Sequence, residues 1–257
     1  MPSRTRSSEI GMTQDTIRLF GLGLGPGDPD YMTVRARKVL ETADRLVHFC
    51  KRGKRGNART IADAIVGMNP AREIALVYPV TTEIPSDHPD YAAALSPFYE
   101  AAAMQLLAEV EAGRIVGVLC EGDPFFYGSF MHLWWRLKEK VPTEVVPAVS
   151  GMSGAWTRAG APITWGDDVL TVLPGTLPEA ELTRRLSNTD AAVVMKLGRN
   201  LPKVRTALAS AGLLERAIYI ERATMAEEKI VPLPEIPESM EAPYFSLIIV
   251  PGQGRRV

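Results

Sequence analysis

The sequence predicts an α/β protein of two α/β domains, with a mainly parallel N-terminal sheet and a mixed C-terminal one. Three observations carry this. Short apolar runs alternate with helical periodicities up to Val146, the pattern of a parallel sheet covered by helices. Glycine-bearing turns follow two of those runs, at residues 21–28 and 121–128. Beyond Pro147 the alternation loosens and ends in a Pro-rich connection at 231–243, which suits a loop and a partly antiparallel arrangement.

Residues 17–22 read as a buried strand, followed by the first glycine turn and a helix over 33–43, with Thr33 as N-cap and Val34, Val39 and Leu40 facing inward. Strands at 45–49 and 73–77 flank a helix near 58–66, and 91–112 is a long alanine-rich helix interrupted or restarted at Pro97. A strongly apolar strand at 115–120 precedes a helix over 127–140, with Phe130, Leu133, Trp134 and Leu137 on one face, and a strand at 144–146. The second half reads as strands at 170–173, 191–196, 217–221 and 244–250, with helices at 178–187 and 201–211. Residues 1–15, rich in Ser and Arg, are expected to be a disordered tail, 16–147 the N-terminal α/β domain and 148–257 the C-terminal one.

A length of 257 residues and 46% apolar content allow a sizeable core, while a net charge of -1 gives no global attraction to nucleic acid or an anionic membrane. Cys50 and Cys120 stand alone, which suits neither a disulfide framework nor a metal knuckle and points to a reducing cytoplasm. No apolar run approaches the roughly 20 residues of a membrane helix. His48, His88 and His132 lack metal-ligand spacing, so no metal is expected. No serine elbow or Cys/His pairing supports covalent catalysis.

The first turn, Gly21-Leu-Gly-Leu-Gly-Pro-Gly-Asp28, permits close backbone approach to a ligand. Its spacing does not match the dinucleotide fingerprint, and no Gly-Lys-Ser/Thr follows to make a phosphate loop. A tight turn without a ligand explains it equally well alone. The second turn, Glu121-Gly-Asp-Pro-Phe-Phe-Tyr-Gly128, follows the most apolar strand. There Asp123 suits ribose hydroxyls or a ligand amine, or serves as a helix N-cap, and Phe125 and Phe126 suit an adenine.

These two turns, with Met32-Thr33, Val146-Pro-Ala-Val-Ser-Gly151 and Val194-Met-Lys196, resemble the ordered signatures of the tetrapyrrole methylases. Tyr78-Pro-Val-Thr-Thr-Glu83, Phe125 to Ser129, Trp165-Gly-Asp-Asp168, Leu173-Pro-Gly-Thr-Leu177 and Lys196-Leu-Gly-Arg199 are similar to the branch acting at C(20) of precorrin-2. The chain departs from the family at Ala148, where glycine is usual, and a methyl group there disfavours a positive φ.

The resemblance implies S-adenosylmethionine as methyl donor, S-adenosylhomocysteine as product, no metal, and a cofactor in a cleft between the domains. It implies cofactor contacts at Pro26, Glu121, Gly122, Asp123, Phe126, Ser150, Gly151, Met195 and Ala223, with core packing as the alternative for Met195. Asp28 and Glu121 are candidate proton acceptors, and Tyr127 a candidate for orienting the macrocycle. The segment 51–59 carries five cations within nine residues. A solvated loop explains them, but a polycarboxylate substrate makes Arg52, Arg55 and Arg59 candidate contacts. Homodimers are the family habit. Rival substrates within the family are cobalt-factor II, another precorrin position, uroporphyrinogen III, ribosomal RNA and a modified histidine of a translation factor, and neutral charge counts against RNA. A nonenzymatic tetrapyrrole or nucleotide carrier is the rival of another class.

Overall fold

A computed structural model describes residues 17–80 and 89–254, in which the chain forms two compact units. The first holds Met32–Ala148 with the chain up to Leu24; the second holds Gly25–Tyr31 and Val149–Val257. The tail, Thr81 to Glu83 of one branch motif, and His88 lie outside the described residues.

In the first unit five strands, β1 (Leu19–Gly23), β2 (Arg45–Cys50), β3 (Glu73–Val77), β4 (Val116–Cys120) and β5 (Thr143–Val146), form a sheet in the order β3-β2-β4-β1-β5. Every pairing in it is parallel. β1 and β4 sit inside the sheet and are buried at every position, which is why both read as unbroken apolar runs rather than alternating ones. The edge strand β3 alternates buried and exposed residues instead.

Helix α1 (Val34–Thr42) starts where Thr33 Oγ1 accepts the Ala36 N–H at 3.2 Å. Val39 and Leu40 are buried as expected, but Val34 is 71% exposed. A side chain in the first turn, ahead of the buried stripe, points to solvent, and the inward assignment of Val34 is corrected. Helix α2 (Asn57–Ala62) is shorter than its periodicity suggests. Helix α3 (Pro89–Glu111) runs without a break through Pro97, because buried Leu95, Tyr99, Ala102, Ala103 and Leu106 hold it against the sheet. Packing thus outweighs the hydrogen bond that proline removes, and the interruption expected there is absent. Helix α4 (Phe130–Leu137) buries Phe130, Leu133 and Leu137.

The second unit contains α5 (Gly151–Arg158), β6 (Leu170–Pro174), α6 (Glu179–Leu186), β7 (Ala191–Met195), α7 (Leu201–Ser210), β8 (Ile218–Glu221), β9 (Lys229–Pro232) and β10 (Ser246–Val250). Its sheet has the order β6-β7-β10-β8-β9, with β6–β7 parallel and the other three pairings antiparallel. The mixed sheet matches expectation; α5 and the strand β9, which runs into the start of the Pro-rich connection, do not appear in the sequence pattern. One face packs on α6 and α7 through Leu182, Leu186, Val204 and Leu208, and the other gathers Ala155, Val193, Ile220 and Ile249. No helix among the described residues is long and apolar enough to cross a membrane.

Candidate active site

In the first unit, strands that all run parallel bring the carboxyl ends of β1, β2 and β4, and the turns after β2 and β4, to one edge of the sheet. Gly23 is in register with Cys120, and the Leu24 N–H donates to the Cys120 carbonyl at 3.0 Å. At that edge Asp123 is committed to the turn: Oδ1 accepts the Phe125 N–H at 2.9 Å and Oδ2 accepts the Ala148 N–H at 3.2 Å. It braces two loops and caps no helix, because α4 begins only at Phe130.

Ala148 is not among the residues with positive φ, so the backbone cost expected of its methyl group does not arise. That methyl points at Gly23, where an added Cβ would lie 2.6 Å from it and 2.9 Å from the Gly122 carbonyl. Gly23→Ala is therefore expected to displace the Gly122 turn and cost about 1–3 kcal/mol. Ala148→Gly in the same chain should restore part of that loss in urea unfolding, and equal stability of the single and double variants would show that the contact is not the cause.

Glu121 is the perturbed acid of this edge. Burial raises its carboxyl above the ordinary value, while the Asn57 side chain and the Ala58 N–H, at the start of α2, act against the shift. Phe126 packs on Tyr127 with ring centroids 4.8 Å apart, and Phe125 meets Trp134 edge-on at 5.0 Å. Tyr127 is 43% exposed and held at φ 55°.

In the second unit, buried Pro26 lies against Gly154, where an added Cβ would come within 2.8 Å of it. The Asp28 N–H donates to Thr224 Oγ1 at 3.1 Å, and Asp28 Oδ1 accepts the Asp30 N–H at 2.9 Å. Ser150 caps α5 by accepting the Ser153 N–H at 3.2 Å. At the next residue, Gly151, a Cβ would meet nothing within 4 Å. β7 and β8 both run antiparallel to β10 and so end at the same edge of their sheet. Met195 and Ala223 lie there, half-buried at the fringe of the apolar cluster around Val193 and Ile220.

The non-glycine residues held at positive φ are Tyr127, Lys196, Arg222 and Thr224. Each adjoins a candidate contact: Phe126, Met195 or Ala223. Such backbone costs on the order of 1–3 kcal/mol per residue and concentrates at functional turns. Nothing in the residue types announces it, so Lys196, Arg222 and Thr224 are missed by sequence reasoning. A cavity of about 40 Å³ beside Ser153 and Thr224 is too small for a nucleotide. A groove of about 390 Å³ lies at the amino ends of β1 and β4, by Phe20 and Arg35, away from these turns.

One candidate contact is corrected. Arg59 is fully buried, its guanidinium on Glu73 at 3.0 Å, Asp63 at 2.9 Å and the Gly67 carbonyl at 3.1 Å, so it has no face left for a substrate. Arg55 pairs with Asp63 at 2.6 Å but stays 42% exposed, and Arg52 is exposed.

The family model described as Tetrapyrrole (Corrin/Porphyrin) Methylases matches residues 18–237. The chain belongs to the tetrapyrrole methylases. Among its relatives, a precorrin-2 C(20)-methyltransferase of Sinorhizobium sp is 52% identical over 91% of this chain and 95% of that protein. A cobalt-precorrin-2 C(20)-methyltransferase of Salmonella typhimurium is 31% identical over 92% of this chain and 97% of that one. The crystal structure of a cobalt precorrin-4 methyltransferase aligns with a TM-score of 0.67 at 26% identity, covering 91% of this methylase and 94% of the other chain.

Proposed function

We propose that this methylase transfers a methyl group from S-adenosylmethionine to C(20) of precorrin-2, giving precorrin-3A in cobalamin biosynthesis. The observation that carries the reading is 52% identity over 91% of the chain with a protein of that name. The lower identity to a relative acting on the cobalt-loaded substrate, 31%, favours the metal-free one. Incubation with both substrates would decide: faster methylation of the cobalt form would reverse this preference.

The residues present fit a sulfonium nucleotide. Amino acid, ribose and adenine need backbone donors and acceptors plus a small apolar seat. In the first unit the Glu121-Gly122-Asp123 turn and Phe126 offer such groups, and in the second Pro26, the Ser150–Gly151 helix start and the half-buried Met195 and Ala223 offer others. Bound S-adenosylmethionine would supply an electrophilic methyl group. This chain's own part is to hold the macrocycle carbon in line with it, worth several kcal/mol of barrier, and to take the proton that leaves after addition.

For that proton we favour Glu121 over Asp28. One Asp28 oxygen is already committed to the Asp30 N–H, whereas burial raises the Glu121 carboxyl above its ordinary value, which makes it the more basic carboxylate once ionised. Tyr127, exposed beside Phe126, is placed to orient the substrate ring. A base must be ionised, so single-turnover transfer should fall as pH drops through the raised Glu121 value. A rate independent of pH through that range would remove Glu121 from the role.

Both cysteines are free and buried, which supports a reducing, cytoplasmic home. A homodimer is proposed from family habit, with light scattering as its test.

A further inference from the structure

The fold sorts the cations of the 51–59 segment into two sets. Arg55 and Arg59 share one carboxylate, Asp63, at 2.6 and 2.9 Å, and Arg59 also lies on Glu73 of β3 at 3.0 Å. Glu73 in turn faces His48 of β2, Nε2 to Oε2 at 3.6 Å. A ladder of charge thus runs from the sheet through α2 to the loop. Lys51, Arg52 and Lys54 stand outside it: all three are exposed and carry no ion pair among the described residues. They sit on a tight turn closed by the Lys54 N–H donating to the Lys51 carbonyl at 3.0 Å. Gly56, at φ 86°, then reverses the chain so closely over the Phe49 carbonyl that a Cβ would collide with it.

This turn leaves the carboxyl end of β2, and the Glu121 turn leaves the carboxyl end of β4. The two strands are parallel neighbours, so these exposed cations and the candidate base share one edge of the same sheet.

We infer that Lys51, Arg52 and Lys54 form a subsite for the carboxylate side chains of the tetrapyrrole, and that Asp63, through Arg55 and Arg59, is the positioning residue that holds their turn. The inference rests on the substrate class proposed above. It moves the expected contacts from Arg52, Arg55 and Arg59 to Lys51, Arg52 and Lys54.

The test uses the full chain with uroporphyrin, a stable polycarboxylate tetrapyrrole, followed by fluorescence, beside calorimetric titration with S-adenosylhomocysteine. The K51A/R52A/K54A variant alters only exposed side chains. It should bind uroporphyrin roughly tenfold or more weakly, with a shallower salt dependence, at unchanged S-adenosylhomocysteine affinity. Asp63→Asn separates positioning from plain charge. Removing a negative charge beside a basic turn would strengthen anion binding if charge alone mattered; loss of positioning weakens it. Thermal melting of each variant confirms that it is folded.

Wild-type affinity in the triple variant, or tighter binding in Asp63→Asn, would overturn the subsite or the positioning role while leaving the methyltransferase reading standing. A wild-type protein that binds S-adenosylhomocysteine but not uroporphyrin would overturn both the subsite and the substrate class. Loss of S-adenosylhomocysteine binding in the wild type strikes the cofactor reading instead.

Discussion

Arg59→Ala is expected to destabilise the first unit by about 3–5 kcal/mol, the usual consequence of stranding one partner of a buried ion pair. Glu73, with 12% of its side chain exposed, would lose its cation, and the Val66 and Gly67 carbonyls would lose their donors. His48, whose imidazole burial already holds below its ordinary value, would be left as the neighbour of an uncompensated carboxylate. The double variant Arg59→Met with Glu73→Gln should be less destabilised than Arg59→Ala alone, because replacing both partners removes the stranded charge rather than exposing it. Hydrogen exchange of the β2 and β3 amides in urea reads this unit separately from the other. A loss below about 1 kcal/mol in Arg59→Ala would show that the ladder does not anchor α2.

Glu121→Gln is expected to lower single-turnover methyl transfer by about 10²- to 10⁴-fold, the usual contribution of a positioned base, while raising thermal stability at neutral pH. The second half follows from linkage. A carboxyl whose folded value is raised above its unfolded value contributes stability at low pH and loses it as pH rises through the folded value. Above that raised value the folded protein therefore carries the cost of an ionised Glu121, opposed only partly by Asn57 and Ala58. Glutamine fills the same space without that charge. The stability gain should shrink on acidification, as the wild-type carboxyl becomes neutral too. Activity and stability moving in opposite directions is the signature of an acid kept for chemistry. Transfer unchanged in Glu121→Gln would eliminate the role.

The fold was legible wherever local pattern and burial agree. β1, β4 and β7 are buried on both faces and read as apolar runs, and Thr33 marks the start of α1. α5 escaped because Gly151 and Gly154 are poor helix formers; the Ser150 cap, Ala155 packed in the core and Trp156 beside it hold it instead. β9 escaped because Lys229 and Pro232 belong to no strand pattern, yet an edge position against β8 tolerates both.

For the site, the motifs located the turns but not the state of their side chains. The burial of Arg59 is not legible in sequence: Asp63, four positions on, marks one partner, but Glu73, fourteen positions away, joins it only when β3 pairs with β2. The backbone held at positive φ around Met195 and Ala223 was invisible for the same reason: it is set by how strands end and turn, not by which residues occupy the turn.

Methylation of precorrin-2 at C(20) is measured directly by incubating the full chain with precorrin-2 and ¹³C-methyl-labelled S-adenosylmethionine, followed by carbon NMR of the product. One labelled methyl group on C(20) is the predicted result. Label on a different carbon would contradict the substrate position, and no label at all, with S-adenosylhomocysteine failing to bind, would contradict methyl transfer by this chain.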